Sequence, residues 1–188
     1  MLLKQVVFLD RDGVINRDSH DYIRNWNDFE FLPRSLEALN LLACKGLPVI
    51  VITNQSGIHR GFISLPDLAD IHRQLRQVVE RTGGRILDFF YCPHHPDELC
   101  ACRKPEPGLI RQACARYDID LPASVMVGDS AKDIECGRNA GCGTTILVRT
   151  GNGCAAQEEL TGKGIRPSAV AADLYEATQF ILKYSVVP

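Results

Sequence analysis

Val6-Val7-Phe8-Leu9-Asp10-Arg11-Asp12-Gly13-Val14-Ile15-Asn16 is the stretch from which the fold can be read. Val6 to Asp10 is an unbroken apolar run that ends in an acid. Continuous rather than alternating apolar character suits a strand buried on both faces of a parallel sheet. Asp10 then stands at the carboxyl end of that strand, the edge where open α/β sheets place their ligands. Asp12 follows two residues later, and Gly13 permits the sharp turn that keeps both carboxylates at that edge. Two acids this close repel each other, so a cation, a shared proton or unequal burial must compensate. The plainer alternative is an acidic turn without chemistry. Partners at the ends of other expected strands weigh against it.

Outward from this stretch the same pattern recurs. Strands are expected at Pro48 to Ile52, Ile86 to Tyr91, Ser124 to Gly128 and Thr144 to Val148, with a short one near Ala169-Val170. A helix opens near Pro33, carries Leu36, Leu39 and Leu42 or Ala43 on one face, and stops at Gly46. Ser64 and Asp67 resemble a capping box before a long helix with Leu65, Leu68, Ile71, Leu75, Val78 and Val79 on one side. His72 lies within it and reads as a surface or packing residue rather than a ligand. Further helices are expected from Pro107 or Gly108 to about Tyr117, from Gly128-Asp129 to Gly141, and from Asp173 to about Lys183. The glycine-rich stretch Thr150 to Gly164 receives no element. Alternating strands and helices without an internal repeat give one α/β domain over residues 1–188, a Rossmann-like doubly wound parallel sheet. The gaps between motifs leave room for loops but not for a large cap domain.

Composition bounds the function. At 188 residues, 45% hydrophobic and 23% charged, the chain can bury an ordinary core. A net charge of −2 argues against a nucleic-acid partner, which usually demands a basic surplus. No apolar run is long enough to span a bilayer. The N-terminal apolar stretch, interrupted at Lys4 and Gln5, does not read as a signal peptide. Eight cysteines without a secretion signal point to reduced thiols and a metal in a cytoplasmic protein rather than to a disulfide framework. A monomer acting on a small molecule is expected.

Asp10, Thr53, Lys104 and Asp129 fall at or just after separate strand ends, which converges acids, a hydroxyl and a cation on one rim. Asp10 and Asp129 suit Mg²⁺, an oxygen-seeking cation that keeps several waters. Lys104 and Thr53 suit phosphoryl oxygens. Together they describe phosphoryl transfer to a carboxylate. The loop Thr53-Asn54-Gln55-Ser56-Gly57 offers donors for an anion. The polar stretch Arg17 to Asn27, with Asp18, His20, Asp21 and Tyr22, either contacts substrate or is a solvated loop anchored by Trp26.

Asp10-x-Asp12-Gly13, Thr53-Asn54, Lys104-Pro105 and Gly128-Asp129-x-x-x-Asp133 resemble, in order, the four motifs of the haloacid dehalogenase superfamily phosphatases, over about the first 150 residues. The resemblance implies that Asp10 is the nucleophile of an aspartyl-phosphate. Asp12 would protonate the leaving alkoxide, then activate water, and would lend its backbone carbonyl to Mg²⁺. Asp133 would support the metal or Lys104. A non-catalytic binding module with a dead site would be expected to have lost one of these groups, and all are present.

Cys92 and His94 are one residue apart, as are Cys100 and Cys102. In extended chain, residues i and i+2 point the same way, so each pair can grip one ion. Three thiolates and an imidazole make a closed tetrahedral Zn²⁺ site, structural rather than catalytic. His95 is the alternative imidazole, but its side chain would point away from that of Cys92. Unrelated buried residues or a disulfide are the other readings. The loop runs directly into Arg103-Lys104, so a zinc there would fix where those cations point.

A zinc loop on this core resembles two families within the superfamily, the heptose bisphosphate 7-phosphatases and the histidinol-phosphate phosphatases. Asn54-Gln55-Ser56-Gly57-Ile58-x-Arg60-Gly61, Cys92-Pro93-His94-His95-Pro96, Cys102-Arg103-Lys104-Pro105-x-Pro107-Gly108 and Val148-Arg149-Thr150-Gly151 are similar to the heptose family. Removal of the carbon-7 phosphate in nucleotide-heptose synthesis for lipopolysaccharide is therefore the expected activity, with histidinol phosphate as the alternative substrate. Substrate contacts would fall on Asp18, His20, Asp21, Tyr22, Asn54, Ser56, Arg103 and Ser130. Ser130 stands where a lysine is common in the heptose family, and the short gap between the two metal-gripping pairs is more like the histidinol family.

Overall fold

A computed structural model describes Leu3 and residues 5–184. Six strands form one parallel sheet: β1 (Val7–Leu9), β2 (Val49–Asn54), β3 (Ile86–Cys92), β4 (Val125–Gly128), β5 (Thr144–Val148) and β6 (Ala169–Ala171), in the order β3-β2-β1-β4-β5-β6. The helices are α1 (Ser35–Cys44), α2 (Leu65–Arg81), α3 (Gly108–Arg116), α4 (Ala131–Ala140), α5 (Gly153–Gly162) and α6 (Leu174–Tyr184).

The central strand explains why the opening run is apolar throughout. Val7 and Leu9 face a layer containing Leu39, Leu42, Leu75, Val79, Ala177 and Ile181 from α1, α2 and α6. Phe8 faces the opposite layer, with Leu109, Ile110 and Ala113 of α3 and Cys136 of α4. With helices on both faces, neither side of β1 can be polar, and each fully buried side chain contributes about 1.5–3 kcal/mol. The chain winds from β1 outward to β3, then returns to lay β4 on the other side of β1. That reversal is the topological switch point, and it opens a crevice between the ends of β1 and β4, where Asp10 and Asp129 emerge.

Two boundaries and one unassigned element depart most from the sequence expectation. β2 runs on through Thr53 and Asn54, which pair with Tyr91 and Cys92, so these two residues are strand rather than loop. α1 begins at Ser35 because Arg34 is left-handed at φ 62, which places Pro33 before the helix. The stretch left without an element holds α5. Gly153 and Gly162 bracket it, and its buried stripe is only Ala156 and Leu160 beside Gly153, a faint periodic signal that glycine obscures. His72 is a packing residue, 7% exposed and stacked on Phe89 at 4.4 Å between ring centroids.

Candidate active site

Asp10 leaves β1 with its Oδ1 held twice, by the Arg11 amide at 2.7 Å and by Lys104 Nζ at 2.9 Å. Lys104 is buried at 2% exposure, pairs also with Asp133 at 2.6 Å, and donates to the Ile52 carbonyl at 3.1 Å. Burial works against its charge, but Asp10 and Asp133 outweigh burial and hold its pKa above the usual lysine range. Asn54 fixes the Lys104 backbone in two directions, donating to its carbonyl at 3.2 Å and accepting from its amide at 3.1 Å. Thr53 is buried and its Oγ1 accepts from Gln55 Nε2 at 2.8 Å.

Asp12 is gripped on both oxygens. Arg11, fully buried, donates to it from Nε at 3.1 Å and from Nη2 at 2.9 Å to each oxygen. Asn16 and Gln55 each add a donor at 2.8 Å. Burial opposes the charge of Asp12, but Arg11 foremost, then Asn16 and Gln55, bring its carboxyl below the ordinary range. Behind them, His72 Nε2 lies 3.5 Å from Arg11 Nη1.

Asp129 follows β4. Its Oδ2 accepts from the Asn152 amide at 2.8 Å, and Asn152 Nδ2 lies 3.4 Å from the same oxygen and 3.3 Å from Asp18 Oδ2. Two glycines make room for it. A Cβ on Gly13, φ +81, or on Gly151, φ +56, would come within 2.1 Å of Asp129 Oδ2. Thr150 Oγ1 donates to the Gly13 carbonyl at 2.7 Å, which ties the two backbones together. Ligand oxygens of Asp10, Asp129 and Asp133 lie within 4.8 Å of one another. Burial pushes the Asp129 carboxyl up to about 7, with Asp133 adding to it. Burial also raises Asp10, against the pull of Lys104. Asp133 already bonds Lys104 and the Ser130 hydroxyl, so Asp10 and Asp129 are the pair whose crowding a hard divalent cation would relieve.

Asp10, Arg11, Asp12, Thr53, Lys104 and Asp129 line a cavity of about 360 Å³. Of the expected substrate contacts, Asp18, His20, Tyr22, Asn54, Arg103 and Ser130 lie on its wall, whereas Asp21 and Ser56 do not. Ser130 is committed locally, since its amide and hydroxyl both donate to Asp133 Oδ2, at 3.0 and 2.6 Å, and cap α4. Arg103 donates one Nη1 bond to the His94 carbonyl at 3.3 Å. Arg11, Lys132 and Asn152, none of them an expected site residue, line the same cavity, as does Gln55 of the expected anion-binding loop. Arg11 had the clearest signal, a cation wedged between two acids at a buried strand end. Asn152 had none, because it meets Asp18 across 134 positions of sequence.

The second cluster gathers beside this rim. Ligand atoms of Cys92, His94, Cys100 and Cys102 all lie within 4.8 Å of one another and could hold a metal ion. The sulfurs are 3.3–3.5 Å apart, and His94 Nδ1 lies 3.5 Å from Cys92 and 3.2 Å from Cys102. Bonded sulfurs would sit near 2.05 Å, so these are free thiols and no disulfide joins them. His95 turns elsewhere, with its Nδ1 accepting from the Asp97 amide at 3.4 Å. No helix among the described residues is long and apolar enough to cross a membrane.

Comparison with known proteins agrees with this geometry. Residues 101–177 match the HAD-hydrolase-like family. A Pseudomonas aeruginosa D-glycero-beta-D-manno-heptose-1,7-bisphosphate 7-phosphatase is 45% identical over 150 residues, 80% of this chain and 84% of that protein. A Mycobacterium tuberculosis D-glycero-alpha-D-manno-heptose-1,7-bisphosphate 7-phosphatase is 42% identical over 149 residues, 77% of this chain and 78% of the relative. The crystal structure of D,D-heptose 1,7-bisphosphate phosphatase from B. bronchiseptica, complexed with magnesium and phosphate, superposes with a TM-score of 0.88 at 38% identity, covering 96% of this chain and 98% of that one.

Proposed function

The chain belongs to the heptose-1,7-bisphosphate 7-phosphatase family of HAD-like hydrolases, and from that premise we propose that it removes the carbon-7 phosphate of a D-glycero-D-manno-heptose 1,7-bisphosphate through a phosphorylated Asp10. The observation that carries the reading is the state of the Asp10 carboxylate. Among the described residues the Arg11 amide and Lys104 both hold Oδ1, at 2.7 and 2.9 Å, beside the cavity at the switch point, so Oδ2 is the oxygen left to attack. Oδ2 attacks phosphorus and the ester oxygen departs. Asp12 gives that oxygen a proton, then takes one from the water that releases phosphate from Asp10. Arg11, Asn16 and Gln55 hold the Asp12 carboxylate in place for both transfers and favour its ionised, proton-accepting form. A phosphate dianion entering beside it works in the opposite direction and favours the proton-donating form.

Mg²⁺ fits the crowded pair Asp10 and Asp129, with the Asp12 carbonyl as a third ligand, and bound there it neutralises charge on the transferring phosphoryl group. The magnesium of the B. bronchiseptica enzyme supports this choice. Zn²⁺ fits the Cys92, His94, Cys100 and Cys102 set, three sulfurs and a nitrogen with no position left for water. Thr53 and Lys104 bear on the phosphoryl oxygens. Asp18, His20, Tyr22 and Asn54 face the sugar, and Arg103 faces the distal phosphate, while Asp21 and Ser56 act at most from behind this wall. We take residues 1–188 as one catalytic domain acting as a cytoplasmic monomer, and its eight cysteines form no disulfide.

The test is phosphate release with Mg²⁺ across a panel of heptose bisphosphate, other sugar phosphates and histidinol phosphate. The heptose bisphosphate is expected to lead in kcat/KM by roughly an order of magnitude or more. A preference for histidinol phosphate overturns the assignment. Arg103 and Lys132 on the cavity wall suit a second phosphate, whereas the ammonium of histidinol phosphate would repel both.

A further inference from the structure

The cavity wall carries four cations, and three are already engaged. Arg11 is fully buried and bonded to Asp12. Lys104 divides its donors between Asp10, Asp133 and the Ile52 carbonyl. Arg103 gives one bond to the His94 carbonyl. Lys132 is exposed, lines the cavity, and has no partner for its ammonium among the described residues.

Its position in α4 sharpens the question. Lys132 is the second residue of that helix, whose first turn presents unpaired amide N–H groups and the positive end of the helix dipole. A lysine there is electrostatically unfavourable by itself, because the first turn prefers acids. The nearby acids do not claim it. Asp133 is bonded to Lys104 and Ser130, and Asp129 to Asn152. An uncommitted ammonium and a helix N-terminus on one wall of a phosphate-handling cavity both call for an anion. The Ser130 hydroxyl cannot meet that call by donating, since it donates to Asp133.

We propose that Lys132 is a specificity-determining residue that binds the second, non-reacting phosphate of the substrate from the α4 side of the cavity, opposite in sequence to Arg103 on the metal-binding loop. The proposal rests on the sugar bisphosphate phosphatase reading above and adds which side chain tells a bisphosphate from a monophosphate. The reacting phosphate lies at Asp10, so Lys132 acts on affinity for the distal group and not on the bond that breaks.

The experiment compares the heptose bisphosphate with the same heptose phosphorylated only at carbon 7, in wild type, Lys132→Gln and Lys132→Arg. Lys132→Gln is expected to lower kcat/KM for the bisphosphate by about 10- to 30-fold more than for the monophosphate, chiefly through KM, and Lys132→Arg to restore most of the difference. A merely structural role would show in thermal stability. Replacing an exposed cation at a helix N-terminus by glutamine is expected to leave the melting temperature unchanged or slightly raised. Equal losses on both substrates, or no loss on the bisphosphate in a wild type that prefers it, overturn the role of Lys132. A wild type that prefers the monophosphate overturns the bisphosphate reading itself, and the Lys132 proposal with it.

Discussion

The rim at the ends of β1 and β4 and the Cys92–Cys102 loop are both clusters of groups that repel or ignore one another until something joins them. They are joined differently. On the rim, Asp10, Asp12 and Asp133 are pinned by buried neighbours, Lys104, Arg11, Asn16 and Gln55, and Asp129 by the exposed Asn152. Those neighbours stand on strands, helix ends and close-packed turns that fold for reasons of apolar burial. Between the end of β3 and the start of α3, by contrast, only a three-residue 3₁₀ turn at Pro96–Glu98 interrupts irregular chain, and Leu99 there is 91% exposed. The sheet builds the rim before any ion arrives. The loop is held by backbone bonds to Gln55, His59 and Gly108, by the His59–Glu98 pair and by the packing of its cysteines, and a metal held by its four ligand side chains would add the cross-link that regular structure does not supply.

Asp10→Asn tests the first half of that contrast with the largest expected effect. Turnover is expected to fall by about a thousandfold or more, because the amide is a poor nucleophile, while the far-UV spectrum and cooperative unfolding persist. Substantial residual turnover in folded Asp10→Asn protein would sink the covalent route. Loss of the fold would instead show that the rim supports the sheet rather than the reverse.

Cys102→Ser tests the second half. It is expected to lower zinc content and reduce kcat/KM by about 10- to 100-fold, although no ligand of the loop reaches a reacting atom. The route runs through the next two residues, since Arg103 and Lys104 follow Cys102 directly. Protein purified without chelator that contains no zinc and is fully active would break the contrast.

The smallest effect concerns the back of the rim, where His72 stacks on Phe89 and touches Arg11. Burial, with Arg11 adding to it, lowers the His72 pKa to about 3. The unfolded chain takes up that proton near pH 6.5, so it binds more protons than the folded chain between those values, and stability falls as pH falls through this window. Between pH 6.5 and 5 the loss is about 2 kcal/mol at most. Denaturant midpoints at pH 7.5 and 5 are expected to differ less in His72→Gln than in wild type. Equal pH slopes in the two proteins would show that His72 is not the group responsible.

The contrast also explains what could be read from the sequence. The sheet, its order of strands and helices, and the four motif positions were legible because buried strands and their terminal acids sit together in the chain. The metal-gripping pairs were legible because i and i+2 spacing is local. α5 was not, since Gly153 and Gly162 hide a helix held by two buried side chains. Thr53 and Asn54 were placed one element late because polar residues at a strand end look like loop until their partners Tyr91 and Cys92 are seen. Arg11, Lys132 and Asn152 gain meaning only from folding, when the wall they share is assembled. Asp21 and Ser56 adjoin residues that reach that wall without lining it themselves.

Asn152 has a thermodynamic consequence. It hydrogen-bonds the expected metal ligand Asp129 and, through one amide nitrogen, approaches Asp18 on the rim that faces the sugar. Ordering either carboxylate lowers the entropy lost on ordering the other. Linkage makes the exchange symmetrical: whatever factor a sugar held at Asp18 contributes to metal affinity, the metal must return to sugar affinity in equal measure. A metal held at Asp129 and a sugar held at Asp18 would on that account be each other's effectors, through a residue that touches neither reacting atom.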